Sequence, residues 1–247
     1  MRKLNFLTLV PVLGVLLLPR TVQAGGSPAP RDFDPQGEKQ ETAAVLQPSL
    51  KWENEIQTYE EADKKTPPPQ GGILFIGSSS TRLWETLAQD FPGQKVINRG
   101  FGGSQIADSV YFADRIVIPY RPKLIVLQVG GNDIAAGKMP EQVAADFQAF
   151  VEKVRAKLPN VRIAFLFINP SPIRWEQNCE KEKQANRLIA KYIRSGKNLD
   201  YIDLWKQFLG PDGKPREDLF RSDRLHNNAA GYKIRADVVR PHLKRTH

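Results

Sequence analysis

The feature that most restricts the fold of this chain is a series of short, almost wholly apolar segments separated by stretches of helical periodicity. The apolar segments cover residues 73–76, 96–98, 124–129, 161–168 and 199–202. Runs of this length are typical of strands buried on both faces, and alternation with helices places such strands in a parallel sheet. We therefore predict an α/β domain of the three-layer, flavodoxin-like type, with a parallel sheet covered by helices on both faces.

The first 47 residues differ in character from the rest of the chain. Arg2 and Lys3 precede a 15-residue, largely apolar run, and the small residue Ala24 stands where a signal peptidase would cut. We predict a signal peptide over residues 1–24, a flexible linker over 25–47 and one domain over 48–247. The apolar run is short for a membrane-spanning helix. We expect export to the periplasm or medium, with an uncleaved N-terminal anchor as the alternative.

Charge and cysteine content exclude several classes of function. The net charge of +9 falls to +6 without residues 1–24, but Lys and Arg alternate with acids, as at residues 180–183 and 221–224. This pattern lacks the basic stripe interleaved with aromatics that is typical of nucleic-acid binding. Cys179 is the only cysteine, which excludes an internal disulfide, a dithiol centre and a cysteine-based metal site. We predict no nucleic-acid partner, no metal and no membrane span beyond the signal segment.

Three of the apolar segments end in loops rich in glycine and small polar residues. These loops cover residues 77–80, 98–103 and 130–133. The carboxyl ends of parallel strands meet at one edge of the sheet, where ligands bind in α/β proteins. Each loop alone would be an ordinary turn, but the three together predict a single site.

One histidine is a candidate catalytic base. The three histidines of the chain are His226, His242 and His247. The last two lie within six residues of the C-terminus, so His226 is the candidate by elimination. Asp223, three residues earlier, could orient the ring and stabilise the imidazolium that forms when the histidine takes a proton. The alternative is an ordinary polar helix start, capped by Asn227 or Asn228.

Taken in order, these segments resemble the SGNH, or GDSL-type, hydrolase superfamily, and within it the platelet-activating-factor acetylhydrolase-like branch. The four matching segments are residues 73–84, 98–104, 130–133 and 223–226. In the first segment the Gly-Asp-Ser of the family is present as Gly77-Ser78-Ser79. Ser78 is therefore a departure, although the aspartate it replaces is not a triad member in the family.

The resemblance implies the SGNH fold and a cofactor-independent serine esterase that works through an acyl-enzyme. It assigns Ser79 as nucleophile, His226 as base and Asp223 as its partner. The oxyanion hole would consist of the backbone N–H groups of Ser79 and Gly103 and the side chain of Asn132. The implied substrate is a small-molecule or glycan ester with a short acyl group, and acetylated glycans are one class. The alternatives are a catalytically idle carbohydrate-binding domain that keeps the fold, and a flavodoxin-like nucleotide binder.

Five further residues lie near these segments without an assigned catalytic role. We expect Asp133 to support its own turn, and Arg82 and Trp84 to be structural residues on the helix after the nucleophile. Arg174 and Trp175 follow the fourth apolar segment. They could either face a substrate or pack at the start of a helix.

Overall fold

The computed structural model describes residues 47–244 of the chain. The predicted signal peptide and almost all of the predicted linker lie outside the described residues, so both remain predictions. Within residues 47–244, no helix has the length and apolar character needed to cross a membrane.

Strands and helices alternate along the described residues. The strands are β1 (Ile73–Gly77), β2 (Val96–Gly100), β3 (Leu124–Gln128), β4 (Arg162–Leu166) and β5 (Leu199–Ile202). The α-helices are α1 (Glu53–Lys65), α2 (Ser79–Arg82), α3 (Leu87–Asp90), α4 (Ile106–Tyr111), α5 (Ala113–Ile116), α6 (Gly131–Ala135), α7 (Pro140–Arg155), α8 (Trp175–Ser195) and α9 (Ala229–Leu243). Short 3-10 helices occur at Gln47–Trp52, Ile118–Tyr120, Pro172–Arg174, Trp205–Phe208 and Glu217–Leu219.

The five strands form one parallel sheet with the order β2-β1-β3-β4-β5. After β1 the chain adds β2 on one side, and β3 then starts the other half of the sheet. The strand order therefore reverses beside β1, and at such a switch point the carboxyl ends of neighbouring strands open a crevice for ligands. The prediction of a parallel sheet is confirmed, and the crevice lies at the end of β1 and β3.

Two apolar clusters cover the two faces of the sheet, because successive side chains of a strand point to opposite faces. One cluster joins the sheet to α1, α4, α5, α7 and α8, and it includes Ile56, Leu74, Ile125, Phe147 and Ile189. The other joins the sheet to α3 and α9, and it includes Phe75, Trp84, Phe91, Val126 and Val239. Trp84 is thus a core residue, as expected, and the prediction of helices on both faces is confirmed.

The fourth apolar run is longer than the strand it forms. The run covers residues 161–168, but β4 ends at Leu166. The backbone of Ile168 bonds instead to the side chain of Asn186 on α8, which accepts from its N–H and donates to its carbonyl oxygen, both at 2.9 Å. A side chain from a distant helix replaces the sheet partner there, which apolar periodicity does not reveal.

The first helix is longer than the sequence predicted. The apolar spacing over residues 50–59 predicts one short helix, and the prolines at 67–69 predict extended chain over residues 63–69. Instead α1 continues to Lys65, and Thr66 leaves the helical region, with φ −140° and ψ 87°, because the proline after it disfavours a helical conformation. Asp63, inside the last turns of the helix, forms an ion pair with Arg99 of β2. This tertiary contact favours helix where the sequence predicted an extended connection.

Candidate active site

A sharp turn between β1 and α2 presents Ser79 at the carboxyl edge of the sheet. Gly77 has a φ of 147°, and a Cβ at this position would lie 1.9 Å from the carbonyl oxygen of Gln128 in β3. Only glycine permits this backbone and this approach of the two strands. The N–H of Ser78 donates to the same Gln128 oxygen at 3.1 Å, and α2 begins at the next residue. The Ser79 side chain is left half-buried at the crevice.

The loop after β2 supports the turn that carries the nucleophile candidate. Asn98 donates to the carbonyl oxygen of Thr81 at 2.8 Å and accepts from the N–H of Gly100 at 2.9 Å. A Cβ on Gly100 would lie 2.3 Å from the backbone nitrogen of Arg82, so this glycine allows β2 to pack directly against α2. The hydroxyl of Tyr59 on α1 donates to the Gly100 carbonyl oxygen. The second Gly-rich loop thus fixes the position of the first.

His226 lies two residues before a capped helix. The Asn228 side chain accepts from the N–H of Gly231 at 3.1 Å and starts α9 at the following residue. The His226 carbonyl oxygen accepts from the N–H of Arg221 at 2.7 Å, which closes the loop around the histidine. The helix-cap alternative therefore applies to Asn228 and does not compete with a role for His226.

Ser79, His226 and Asp223 form one chain of hydrogen bonds. The Oγ atom of Ser79 lies 2.8 Å from Nε2 of His226, and Nδ1 of His226 lies 2.7 Å from Oδ2 of Asp223. Because an ionised carboxylate can only accept, Nδ1 carries the hydrogen and Nε2 is free to accept from the serine hydroxyl. The histidine thus selects Ser79 from the run of three serines, Ser78 to Ser80.

Asp223 is held as an anion by its neighbours. Its second oxygen, Oδ1, accepts from the backbone N–H groups of Leu225 and His226, both at 2.9 Å. Burial raises the pKa of Asp223, but the hydrogen bonds from the His226 ring and from these two N–H groups outweigh it and lower the pKa to about 2. The carboxylate is therefore charged at neutral pH and can stabilise a protonated His226.

Asn132 lies at the start of α6. Its Nδ2 donates to the carbonyl oxygen of Ser104 at 3.1 Å, and its Oδ1 accepts from Nη2 of Arg174 at 3.0 Å. These two contacts fix which end of the amide carries the hydrogens. Ser79 and Asn132 line the same cavity. The second hydrogen of Nδ2 is thus available to a substrate oxygen.

Gly103 lies on the neighbouring loop, one residue before Ser104, which accepts from Asn132. Its φ of 72° favours glycine, and a Cβ there would lie 3.3 Å from the ring of Trp52. Gly103 is not among the residues that line the cavity shared by Ser79 and Asn132. Of the five predicted site residues, Ser79, His226 and Asp223 are thus in direct contact, and Asn132 shares a cavity with Ser79. The fifth, Gly103, lies on the loop next to them.

Asp133 supports the site without facing it. The carboxyl is fully buried, accepts from the N–H of Ile106 at 3.3 Å and forms an ion pair with Lys138 at 3.0 Å. Burial raises the pKa of Asp133, although the charge and hydrogen bond of Lys138 act in the opposite direction. Asp133 thus links the loop before α4 to α6, in keeping with the predicted supporting role.

The cavity beside Ser79 is small, about 50 Å³, and its lining is largely polar. Its polar lining includes Ser79, Asn132, Asn169, Ser171, Arg174 and Glu182. Arg174 therefore faces the cavity, whereas Trp175 packs against Trp205 at a centroid distance of 6.2 Å. Sequence reasoning missed Glu182. The sequence pattern that could have pointed to it is an acidic residue on the apolar face of α8, the face that buries Ala185 and Ile189.

Comparisons with known proteins agree with this geometry. The GDSL-like lipase/acylhydrolase family matches residues 75–234, which is more than half of the chain. No curated protein matches the sequence significantly.

Several solved structures share the fold. A protein of Streptococcus pneumoniae, provisionally described as a platelet activating factor, has a TM-score of 0.69 at 20% identity over 85% of this chain and 100% of its own. A GDSL-like lipase of Bacteroides thetaiotaomicron has a TM-score of 0.67 at 18% identity, over 76% of this chain and 97% of its own. An acetyl-xylooligosaccharide esterase of Geobacillus has a TM-score of 0.58 at 19% identity, over 72% of this chain and 97% of its own. At these identities the likeness concerns the fold, which is that of the SGNH hydrolases. Together with the family match, it leads to one conclusion: the chain belongs to the GDSL-like lipase/acylhydrolase family.

Proposed function

We propose that this protein is a serine ester hydrolase that acts through an acyl-enzyme, with Ser79 as nucleophile. The observation that carries the proposal is the unbroken hydrogen-bond chain from Ser79 through His226 to Asp223. A serine hydroxyl is a weak nucleophile unless a base removes its proton, and the orienting carboxylate keeps the base in the required tautomer.

The proposed reaction has two halves. Oγ of Ser79 attacks the ester carbonyl carbon while its proton passes to Nε2 of His226, and Asp223 stabilises the resulting imidazolium. The negative oxygen of the tetrahedral intermediate is stabilised by the backbone N–H of Ser79 and by Asn132, with Gly103 as the third donor. His226 then returns the proton to the leaving alcohol, and the acyl group remains on Ser79. A water molecule, deprotonated by His226, releases the carboxylic acid and restores the serine.

The substrate class we propose is an ester with a short acyl group. A cavity of about 50 Å³ beside the nucleophile accommodates a group of a few non-hydrogen atoms. The fold likeness to an acetyl-xylooligosaccharide esterase makes acetylated glycans a reasonable first class to test. We also propose that the protein is exported, because of the signal-like residues 1–24.

The decisive experiment compares p-nitrophenyl acetate hydrolysis by wild type, Ser79→Ala and Ser78→Ala. We expect Ser79→Ala to lose at least about a thousandfold in kcat, the scale of a lost triad member. We expect Ser78→Ala to remain at least about a hundredfold more active than Ser79→Ala, because its hydroxyl is not the one bound to His226. Equal rates for wild type and Ser79→Ala would favour an idle binding domain instead.

A further inference from the structure

Two ionisable side chains in the cavity beside Ser79 touch none of the reacting atoms in the proposed ester-hydrolysis mechanism. Glu182 on α8 and Arg174 just before this helix line the cavity together with Ser79. The two do not form a direct ion pair among the described residues, although each lies within the electrostatic influence of the other. They therefore present an acceptor and a donor group separately to whatever enters the cavity.

Glu182 is almost completely buried, with an exposed fraction of 1%. None of the hydrogen bonds formed by the described residues ends on its carboxyl group. Burial raises the pKa of Glu182 to about 7, and the positive charge of Arg174 acts in the opposite direction. The carboxyl oxygens are not among the buried polar atoms that are closed off from solvent, so solvent in the cavity can reach them. A substrate group that displaces this solvent must donate to the carboxyl in its place, because a buried carboxyl without a partner is energetically costly.

Arg174 is half-buried and has one hydrogen bond among the described residues, from Nη2 to Oδ1 of Asn132. Burial lowers the pKa of Arg174, but an arginine remains charged at neutral pH. A guanidinium has five N–H donors, so further donors remain for a ligand. Arg174 therefore connects the cavity to the amide that faces the reacting carbonyl.

The chemistry of the reaction assigns this cavity to the acyl side of the substrate. Ser79 and Asn132 line the cavity, whereas His226 does not. His226 must give a proton to the leaving alcohol oxygen, so the alcohol portion lies on the histidine side of the carbonyl carbon. The carbonyl oxygen is directed at the N–H of Ser79 and at Asn132. The third substituent of that carbon, the acyl chain, then extends past them into the rest of the cavity.

We infer that Arg174 and Glu182 form a hydrogen-bonding subsite for a short acyl group that carries a hydroxyl. The inference rests on the proposed function and deepens it. A hydroxyl can donate to the Glu182 carboxyl and accept from the Arg174 guanidinium at the same time. An alkyl group of equal size would displace solvent from the Glu182 carboxyl and from the remaining N–H groups of Arg174, and it could not replace the hydrogen bonds lost with that solvent. Sites built around buried polar groups discriminate strongly against such analogues.

The test compares p-nitrophenyl glycolate with p-nitrophenyl propionate, whose acyl groups differ by a hydroxyl in place of a methyl. Each kcat/KM is divided by the rate constant of the same ester with hydroxide, which removes the difference in intrinsic reactivity. We expect wild type to prefer glycolate by about tenfold or more. Glu182→Leu should lose this preference and hydrolyse propionate at least as well as glycolate. The matched control is Glu180→Gln on the same helix, outside the cavity lining, and should keep the wild-type ratio.

The outcomes separate this inference from the proposed function. Hydrolysis of both esters by wild type with a corrected preference for propionate, or with none, would overturn the subsite and leave the hydrolase proposal intact. An unchanged ratio in an active Glu182→Leu variant would also overturn it. Hydrolysis of neither ester would overturn both. The wild-type comparison does not depend on the folding of any variant, so the inference remains testable if Glu182→Leu fails to fold.

Discussion

At the scale of single residues, the site depends on how two side chains are oriented by their neighbours. Asp223 holds the His226 ring through Nδ1, and Arg174 holds the Asn132 amide through Oδ1. Asp223 thereby leaves Nε2 of His226 facing Ser79, and Arg174 leaves Nδ2 of Asn132 as the donor atom of the amide. Preorganisation of this kind costs no rearrangement when charge develops in the transition state.

Asn132→Ala should reduce kcat about a hundredfold or more, because the loss of one oxyanion donor typically removes about 3 kcal/mol of transition-state stabilisation. The effect on folding should be modest, since the Asn132 side chain is only part-buried. Steady-state kinetics with p-nitrophenyl acetate and thermal unfolding of the same sample measure both effects. Full esterase activity in this variant would contradict the role given to Asn132.

Asp223→Asn should lower kcat by about a thousandfold or more at neutral pH. The amide can donate to Nδ1 of His226, which favours the tautomer with its hydrogen on Nε2, where it cannot accept the Ser79 proton. Pre-steady-state assays of acyl-enzyme formation would detect this loss in the first half of the reaction. An unchanged rate of acylation would show that Asp223 does not set the tautomer.

The same variant also tests the pH dependence of stability. The pKa of Asp223 is lowered to about 2 from an ordinary value of 3.8. A carboxyl whose pKa is lower in the folded state stabilises the fold when the pH is above its pKa in the unfolded state. This stabilisation is lost as the pH falls through its pKa in the folded state. The difference in Tm between wild type and Asp223→Asn should therefore shrink between pH 5 and pH 2. The carboxylate is partly exposed, with 46% of its side-chain surface accessible, so we expect only a small change.

At the scale of elements, α1 is an integral part of the domain. It contributes Ile56 to the core on one face of the sheet, and its acids Glu53 and Glu60 both pair with Arg115. The Tyr59 hydroxyl of the same helix donates to the carbonyl oxygen of Gly100, beside the turn that carries Ser79. The helix thus joins the N-terminal end of the domain to the site.

Ile56→Ala should reduce the free energy of unfolding by about 2–5 kcal/mol, because it removes a completely buried side chain and leaves a cavity. Urea unfolding followed by circular dichroism measures this difference. Glu61→Ala, at an exposed position of the same helix, is the control and should change the free energy of unfolding by less than about 0.5 kcal/mol. Similar stabilities for the two variants would mean that α1 unfolds independently of the sheet.

At the scale of the whole molecule, the reversal of strand order determines where the site lies. β1 lies between β2 and β3, so the loops after β1 and β3 line one cavity, and the loop after β2 packs against the loop after β1. The loop with Asp223 and His226 comes from the C-terminal end of the domain and completes the site from the other side. Residues separated by 147 positions, Ser79 and His226, are thus brought into hydrogen-bond contact.

The predicted export of the protein also belongs to this scale. When the full chain is expressed in a host with an export pathway, the mature protein should begin at Gly25, because residues 22–24 fit a signal-peptidase site. Mass spectrometry of the purified protein measures its N-terminus. Ala24→Arg should block cleavage at this position and serves as the control. A product of wild type that retains residues 4–18 would favour the uncleaved anchor.

Local patterns along the chain are enough to predict the class of fold and the order of the site segments. Periodicity and the placement of glycines depend on local backbone rules, so the parallel sheet and the loop at Gly77 could be predicted. Tertiary structure alone decided which of three adjacent serines contacts His226, where β4 ends, and that Glu182 faces the cavity. Those outcomes depend on the relative positions of elements far apart in the chain, and no local pattern encodes such distances.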